Sequence, residues 1–411
     1  MNYQLNTKNA GLLNMAVIVS ALGYFVDLFD VLLFSIIRKP SLTELGLSKN
    51  QILENGEILL SIQMIGLLVG GVIFGIIGDR KGRLSVLFGS ILIYSIANIL
   101  NGLITNINQY MILRFISGVG LAGELGAGIT LVAELLPKEK RGIAAAIVGG
   151  FGFFGALFAV FIAQLFSWRM CYFIGGAMGF VLLLGRIQIN ESMMFKRLGT
   201  KMVSKGNFLM FFNNKTRAST YIKCILIGVP SWFVIGGIVS FADKFGEQFG
   251  IENVTPGKAI LFAYIGLIVG DIVSALICQY MRSRKKTISL FYLILSLVIA
   301  LFFIFKGGGS VFSMYLFYIA IGFGIGFAII TVTLNAEQFG TNLRATAAIS
   351  IPNMIRGSLP LSLLLFKLIR NTTGNYINAA WITTAILIII AMIALNRIKE
   401  SYGKDLDFLE H

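Results

Sequence analysis

Gly75-Ile76-Ile77-Gly78-Asp79-Arg80-Lys81-Gly82-Arg83 is a short charged stretch framed by glycines, set between two long apolar runs, 57–77 and 84–104. Each run is about 20 residues, enough to cross a bilayer at about 1.5 Å per helical residue. Neither can bury itself in a water-soluble core of a chain this size. The stretch therefore reads as a tight turn between two transmembrane helices. The glycines permit close helix approach, Asp79 is placed to pair with nearby cations, and Arg80, Lys81 and Arg83 mark the cytoplasmic side.

The composition agrees. Of 411 residues, 56% are apolar and 13% charged, against roughly 25% charged in soluble domains. Mean hydropathy is +0.84. The class is an all-α polytopic membrane protein. A net charge of +15 would suggest nucleic acid in a soluble chain. Here the Lys and Arg fall in loops, where anionic lipid attracts them, so the lipid bilayer is the expected partner and nucleic acid is not. Cys171, Cys224 and Cys278 lie in or beside apolar segments and form no C-x-x-C, so neither a disulfide framework nor a zinc site follows. The only histidine is His411, which removes Ser-His catalysis, a His-ligated metal and a His proton relay from the core. No metal or other cofactor is expected. Residues 16–37 read as a retained helix and not a cleaved leader.

Twelve apolar segments run at 16–37, 57–77, 84–104, 110–136, 142–166 and 168–189, then 221–241, 257–281, 287–305, 311–334, 345–368 and 376–396. The polar stretch 190–220 carries Lys196, Arg197, Lys201, Lys205, Lys215 and Arg217 against Glu191. It reads as a cytoplasmic central loop between two six-helix bundles, 1–189 and 221–411. The Lys/Arg distribution puts both termini in the cytoplasm. The halves echo one another. Glu134 to Arg141 after segment 4 matches Glu337 to Arg344 after segment 10, seven residues in each case and offset by about 200. Repeated halves imply a pseudo-two-fold with a cavity between them.

Ionisable groups at bilayer depth are costly and usually face a cavity or a partner. Asp27 and Asp30 share one face of segment 1. Arg114 and Glu124 lie on the glycine-rich segment 4, Asp271 on segment 8, and Arg356 on segment 11 beside Pro352 and Asn353. Asp30 lies about 10 Å and Arg114 about 6 Å from the outer ends of their helices, so the two can pair. Asp27, Glu124, Asp271 and Arg356 fall near mid-bilayer. The set Asp27, Asp30, Arg114 and Glu124 is a candidate proton-coupling apparatus, and Arg356, Asn353 and Asp271 a candidate substrate site. Arg114–Asp30 as a static pair and Asp271–Arg356 as an interhelical clamp are the bland alternatives. Aromatic enrichment reads as lipid-facing or core. A cytoplasmic gate is expected from Gly75, Asp79, Arg80, Gly82, Arg83, Glu134, Arg141, Glu191, Glu337 and Arg344, bridging the halves in one state. The alternative is a set of solvated loop charges.

The 75–83 hairpin resembles the turn between helices 2 and 3 of the major facilitator superfamily. Arg114-xxx-Gly118-xxxx-Gly123-Glu124-x-Gly126, Ala133-Glu134-xx-Pro137-xxx-Arg141-Gly142, Asn190-Glu191-Ser192 and Asp27-xx-Asp30 resemble its metabolite:proton symporter branch. Ser117 departs from that branch, which usually has Gln there, and the second half matches only through Glu337 and Arg344. The resemblance implies the major facilitator fold. It also implies proton-driven uptake, by alternating access, of a small organic acid or zwitterion across the inner membrane, with the chain acting as a monomer. An exporter of a metabolite, siderophore or drug is the alternative on the same fold. No loop carries the nucleophile or metal cluster a membrane enzyme needs.

Overall fold

The computed structural model describes residues 15–135, 138–187 and 208–403. Among the described residues, twelve helical crossings are long and apolar enough to span a bilayer, at the places the hydropathy predicts. Helices are the form that satisfies every backbone polar group inside lipid. The first bundle comprises α1 (Met15–Glu44), α2 (Lys49–Lys81), α3 (Arg83–Asn101), α4 (Ile107–Leu121) with α5 (Glu124–Leu135), α6 (Lys138–Leu165) and α7 (Trp168–Arg186). The second comprises α8 (Lys215–Phe233) with a π turn Val234–Val239, the short α9 (Ala242–Phe249), α10 (Pro256–Met281) and α11 (Arg284–Ile304). It continues with α12 (Val311–Gly324) and α13 (Ala328–Glu337), α14 (Thr341–Gly357) and α15 (Leu359–Thr373), and α16 (Tyr376–Asn396).

Several helices outrun their apolar runs because polar caps extend them. A Ser48–Gln51 capping box starts α2 eight residues before Glu57. Asn214 accepts from the Thr216 and Arg217 amides and so starts α8 within the expected central loop. The opening hairpin is a single-residue turn. Gly82 has φ 98° and ψ 162°, a region almost closed to side-chain-bearing residues, at a cost of about 1–3 kcal/mol. Arg83 Nη1 donates to the Gly78 carbonyl at 3.0 Å, satisfying an acceptor at the end of α2.

The repeat is visible in packing. Gly66 and Gly70 of α2 press against the backbone of Phe115 and Val119 in α4; Gly266 and Gly270 of α10 press against Ile319 and Phe323 in α12. The glycines are offset by 200 residues and the partners by 204. A Cβ at any of the four would strike a carbonyl of the facing helix. The fourth and tenth crossings also break at matching places, at 122–123 and 325–327. These breaks lie at the level of the buried charges.

Candidate transport site

Between the bundles lies a cavity of about 90 Å³. The first bundle gives it Tyr24, Leu28, Leu125 and Phe153; the second gives, among others, Trp232, Tyr264, Phe327, Thr331 and Arg356. The aromatics here belong to the cavity, contrary to their reading as lipid-facing or core. Phe153 meets Tyr264 across the bundles, ring centroids 6.2 Å apart. Their role follows from position between two bundles, which periodicity in one helix does not reveal.

Arg356 is the last residue but one of α14, just before the break between α14 and α15. Its Nη1 donates to Asp27 Oδ2 at 2.9 Å and Oδ1 at 3.2 Å. Its guanidinium lies 5.1 Å from the Trp232 ring centre and 6.0 Å from that of Tyr24. The alternative of an Asp271–Arg356 clamp is not formed. Arg356 reaches across to α1, whereas Asp271 turns to the start of α13 and accepts from the Ile329 amide at 3.4 Å. A helix N-terminus suits a carboxylate. Asn353 also lies outside the cavity lining. Its Nδ2 donates to Ala122 O at 2.7 Å and Ile349 O at 2.9 Å, tying α14 to the break in the fourth crossing.

Glu124 opens α5 directly after that break. It is held by Arg186, which the sequence reading passed over inside the sixth apolar segment. Nη2 lies 2.5 Å from Oε2 and Nη1 2.9 Å from Oε1. Ser90 Oγ donates to Oε1 at 2.7 Å, and Arg186 Nη1 donates to Leu87 O at 2.6 Å. Gly23, one turn from Asp27 on α1, leaves room for this pair. Asp30 and Arg114 do meet, loosely, at 3.8 Å. Gln63, also unforeseen, bridges them. It donates to Asp30 Oδ2 at 3.5 Å and accepts from Arg114 Nη2.

The expected cytoplasmic gate is reached only in part. Glu191 lies outside the described residues, as do the side chains of Asp79, Glu134, Arg141 and Arg344. Arg80 is exposed and Gly75 packs beside Thr346 of α14. Glu337 does not bridge the halves. It binds Arg284 of its own bundle at 2.6 and 2.7 Å, because the short turn between α10 and α11 brings Arg284 beside it. Among the described residues, the ion pairs that bridge the bundles near a membrane surface lie at the opposite face. Arg38 binds Asp243 at 2.8 Å, both buried. Lys39 reaches Asp243 at 3.0 Å, Lys49 reaches Glu247 at 2.7 Å, and Arg370 reaches Glu57 at 3.3 Å. The hydrogen bond from Lys49 holds the Glu247 carboxyl below its ordinary range. The two acids, four apart on the short α9, were the signal available in the sequence.

A cavity between two repeated six-helix bundles, with broken helices and buried ion pairs at its level, defines a secondary transporter. The model of the Major Facilitator Superfamily matches residues 20–364, and the chain belongs to that family. It resembles the sialic acid transporter NanX of Escherichia coli, 26% identical over 81% of each chain. It also resembles the niacin transporter NiaP of Acinetobacter baylyi, 33% identical over 38% of this chain and 36% of that one. The crystal structure of a D-xylose-proton symporter superposes with a TM-score of 0.74 at 15% identity, covering 95% of this chain and 99% of that one. That likeness is one of fold. The chain is a multi-pass membrane transporter of small molecules and not an enzyme.

Proposed function

We propose that the chain takes up a small carboxylate with protons across the cytoplasmic membrane, and that a one-ring planar acid is the fitting substrate. The observation that carries this is Arg356, the cation in an aromatic-lined cavity, held by Asp27 from the opposite bundle. A substrate carboxylate and the Asp27 carboxylate compete for one guanidinium. Protonation of Asp27 releases Arg356 to the substrate, so proton and anion load together. Aromatic walls suit a planar ring, and the small cavity favours a single one. Niacin and sialic acid, the cargoes in the two relatives' names, both carry a carboxylate. Asp30, Arg114, Gln63, Glu124 and Arg186 are the proton-handling groups of this reading.

The Lys/Arg-rich hairpin face is the cytoplasmic one in this account, with both termini on that side and a monomer as the working unit. The ion pairs at the far face then close the outer side while the cavity is served from within.

The test is uptake into proteoliposomes of labelled nicotinate, benzoate and sialic acid under an imposed inward proton gradient. Accumulation that a protonophore collapses supports symport. Accumulation driven only by the reverse gradient would establish an exporter, and indifference of all three acids to the gradient would overturn the coupling.

A further inference from the structure

The first bundle contains a row of buried polar side chains, most of whose polar atoms find no hydrogen-bond partner among the described residues. Ser90, Tyr94, Asn98 and Asn101 recur along α3 at spacings of four, four and three, which places them on one face. Each is at most 1% exposed, as is the flanking Ser95. Ser90 is bonded to Glu124. Among the described residues, the Tyr94 hydroxyl, the Ser95 hydroxyl and both amide atoms of Asn98 and of Asn101 have no hydrogen-bond partner. Neither do Asp30 Oδ1, Arg114 Nε and Nη1, and Arg186 Nε at the two ends of the row. Asn98 faces the Asp30 carboxylate as a weak hydrogen-bond neighbour, short of ordinary hydrogen-bond geometry. The facing helix α7 offers Gly175 opposite Asn98 and Gly179 opposite Tyr94 and Ser95, so it supplies no side-chain partner.

Buried polar atoms are nearly always satisfied, by protein or by ordered water. Here they concentrate in one bundle and connect two carboxylates. Among the described residues, the second bundle holds only scattered examples at Asp243, Asp271, Tyr318 and Asn335.

We propose that this stripe is a water-bearing proton path through the first bundle, joining the Asp30–Gln63–Arg114 cluster to the Glu124–Arg186 pair. It runs about 16 Å along α3 from Asn101, near the far face, to Ser90. A proton taken up by the Asp30 carboxylate moves along hydrogen-bonded water past Asn98, Ser95 and Tyr94. It arrives on the Glu124 carboxylate, which leaves Asp30 ionised again, and no other bond changes. Glu124 lies about one turn of α1 from the Asp27–Arg356 pair, so the path ends beside the group that releases the substrate. Protons are thus conducted inside one bundle while the cargo is held between the two. This inference rests on the proton-coupled reading above.

The experiment compares Asn98→Leu, Asn98→Ser and Tyr94→Phe with the unsubstituted protein in proteoliposomes. It reads nicotinate counterflow, gradient-driven nicotinate accumulation, internal pH and thermal stability. Leucine fills the site without polar atoms, whereas serine keeps it wet. The expected result is at least a tenfold fall in gradient-driven accumulation and internal acidification for Asn98→Leu, with counterflow and melting temperature retained. Asn98→Ser should recover most of the rate, and Tyr94→Phe should lie between. Wild-type coupling in both Asn98→Leu and Tyr94→Phe overturns the path. So does an equal loss in Asn98→Leu and Asn98→Ser. If Asn98→Leu fails to fold, Tyr94→Phe decides alone, with undiminished acidification against the path. A protein that exchanges nicotinate but ignores a proton gradient before any substitution would instead fail the coupling reading itself. If nicotinate is not carried, benzoate replaces it in every arm.

Discussion

Arg356 and Asp27 join the two bundles at mid-membrane, with Nη1 of one 2.9 Å from Oδ2 of the other and both side chains buried. Breaking a buried pair by removing one partner commonly costs about 3–5 kcal/mol, because the other charge is left uncompensated. A ligand that supplies the missing charge recovers that loss. A site built this way selects an anion and ties its binding to the charge state of the carboxylate it displaces.

Asp27→Asn should separate binding from driving. The amide leaves Arg356 free, so nicotinate affinity should rise several-fold, as read by titration calorimetry on purified protein. Gradient-driven accumulation should disappear because nothing at the cavity trades a proton for the substrate. Weakened binding together with intact accumulation would remove Asp27 from the coupling role.

Arg356→Lys and Arg356→Ala test the anion site. Lysine retains charge but not the planar two-pronged contact, and a tenfold or greater rise in KM is expected for a carboxylate. Alanine should abolish saturable uptake and also lower stability, since Asp27 would be buried alone. A neutral amide analogue should lose less than the acid does. Equal losses for acid and amide would assign Arg356 to structure.

The twelve crossings were legible because a bilayer imposes length and hydropathy on each helix separately. The Asp30–Arg114 contact was also legible, since depth along two helices can be compared from their ends. Partners on other helices were harder. Arg186 hid inside an apolar segment, Gln63 carried no charge to mark it, and Arg356 was grouped with Asp271 and Asn353 of its own bundle whereas it binds Asp27 of the other. Depth leaves rotation about each helix axis undetermined, and rotation decides which of several acids an arginine meets. The aromatic lining was missed for the same reason.

Asp243→Asn should loosen the far face. Arg38 is buried against Asp243 and lies 4.1 Å from the Phe241 ring centre, so it cannot readily find water as a substitute. The native cysteines are buried and can be replaced; Ser231 also lines the cavity, so Ser231→Cys serves as a reporter. Labelling of that cysteine by an impermeant thiol reagent from the far side should speed up roughly tenfold, a shift of about 1.4 kcal/mol in the closed-to-open balance. The double exchange Arg38→Asp with Asp243→Arg should restore slow labelling. Unchanged labelling in Asp243→Asn would show that apolar packing alone closes this face.

Glu124→Gln differs from Asp27→Asn in what it should leave alone. Glu124 bonds Arg186 and Ser90 and is absent from the cavity lining, with only its neighbour Leu125 reaching the wall. Nicotinate affinity and counterflow should therefore stay within about twofold of wild type, a difference of about 0.4 kcal/mol. Gradient-driven accumulation should be lost, because the amide cannot receive a proton beside Asp27. Glutamine keeps the shape but leaves the buried Arg186 without its counter-charge, so a lower melting temperature is also expected. Pairing the substitution with Arg186→Gln should return stability without returning accumulation, since a structural defect is repaired by removing the orphaned charge and a missing proton carrier is not. Recovery of accumulation in the double variant would place Glu124 among the helix-packing residues and leave Asp27 as the coupling acid.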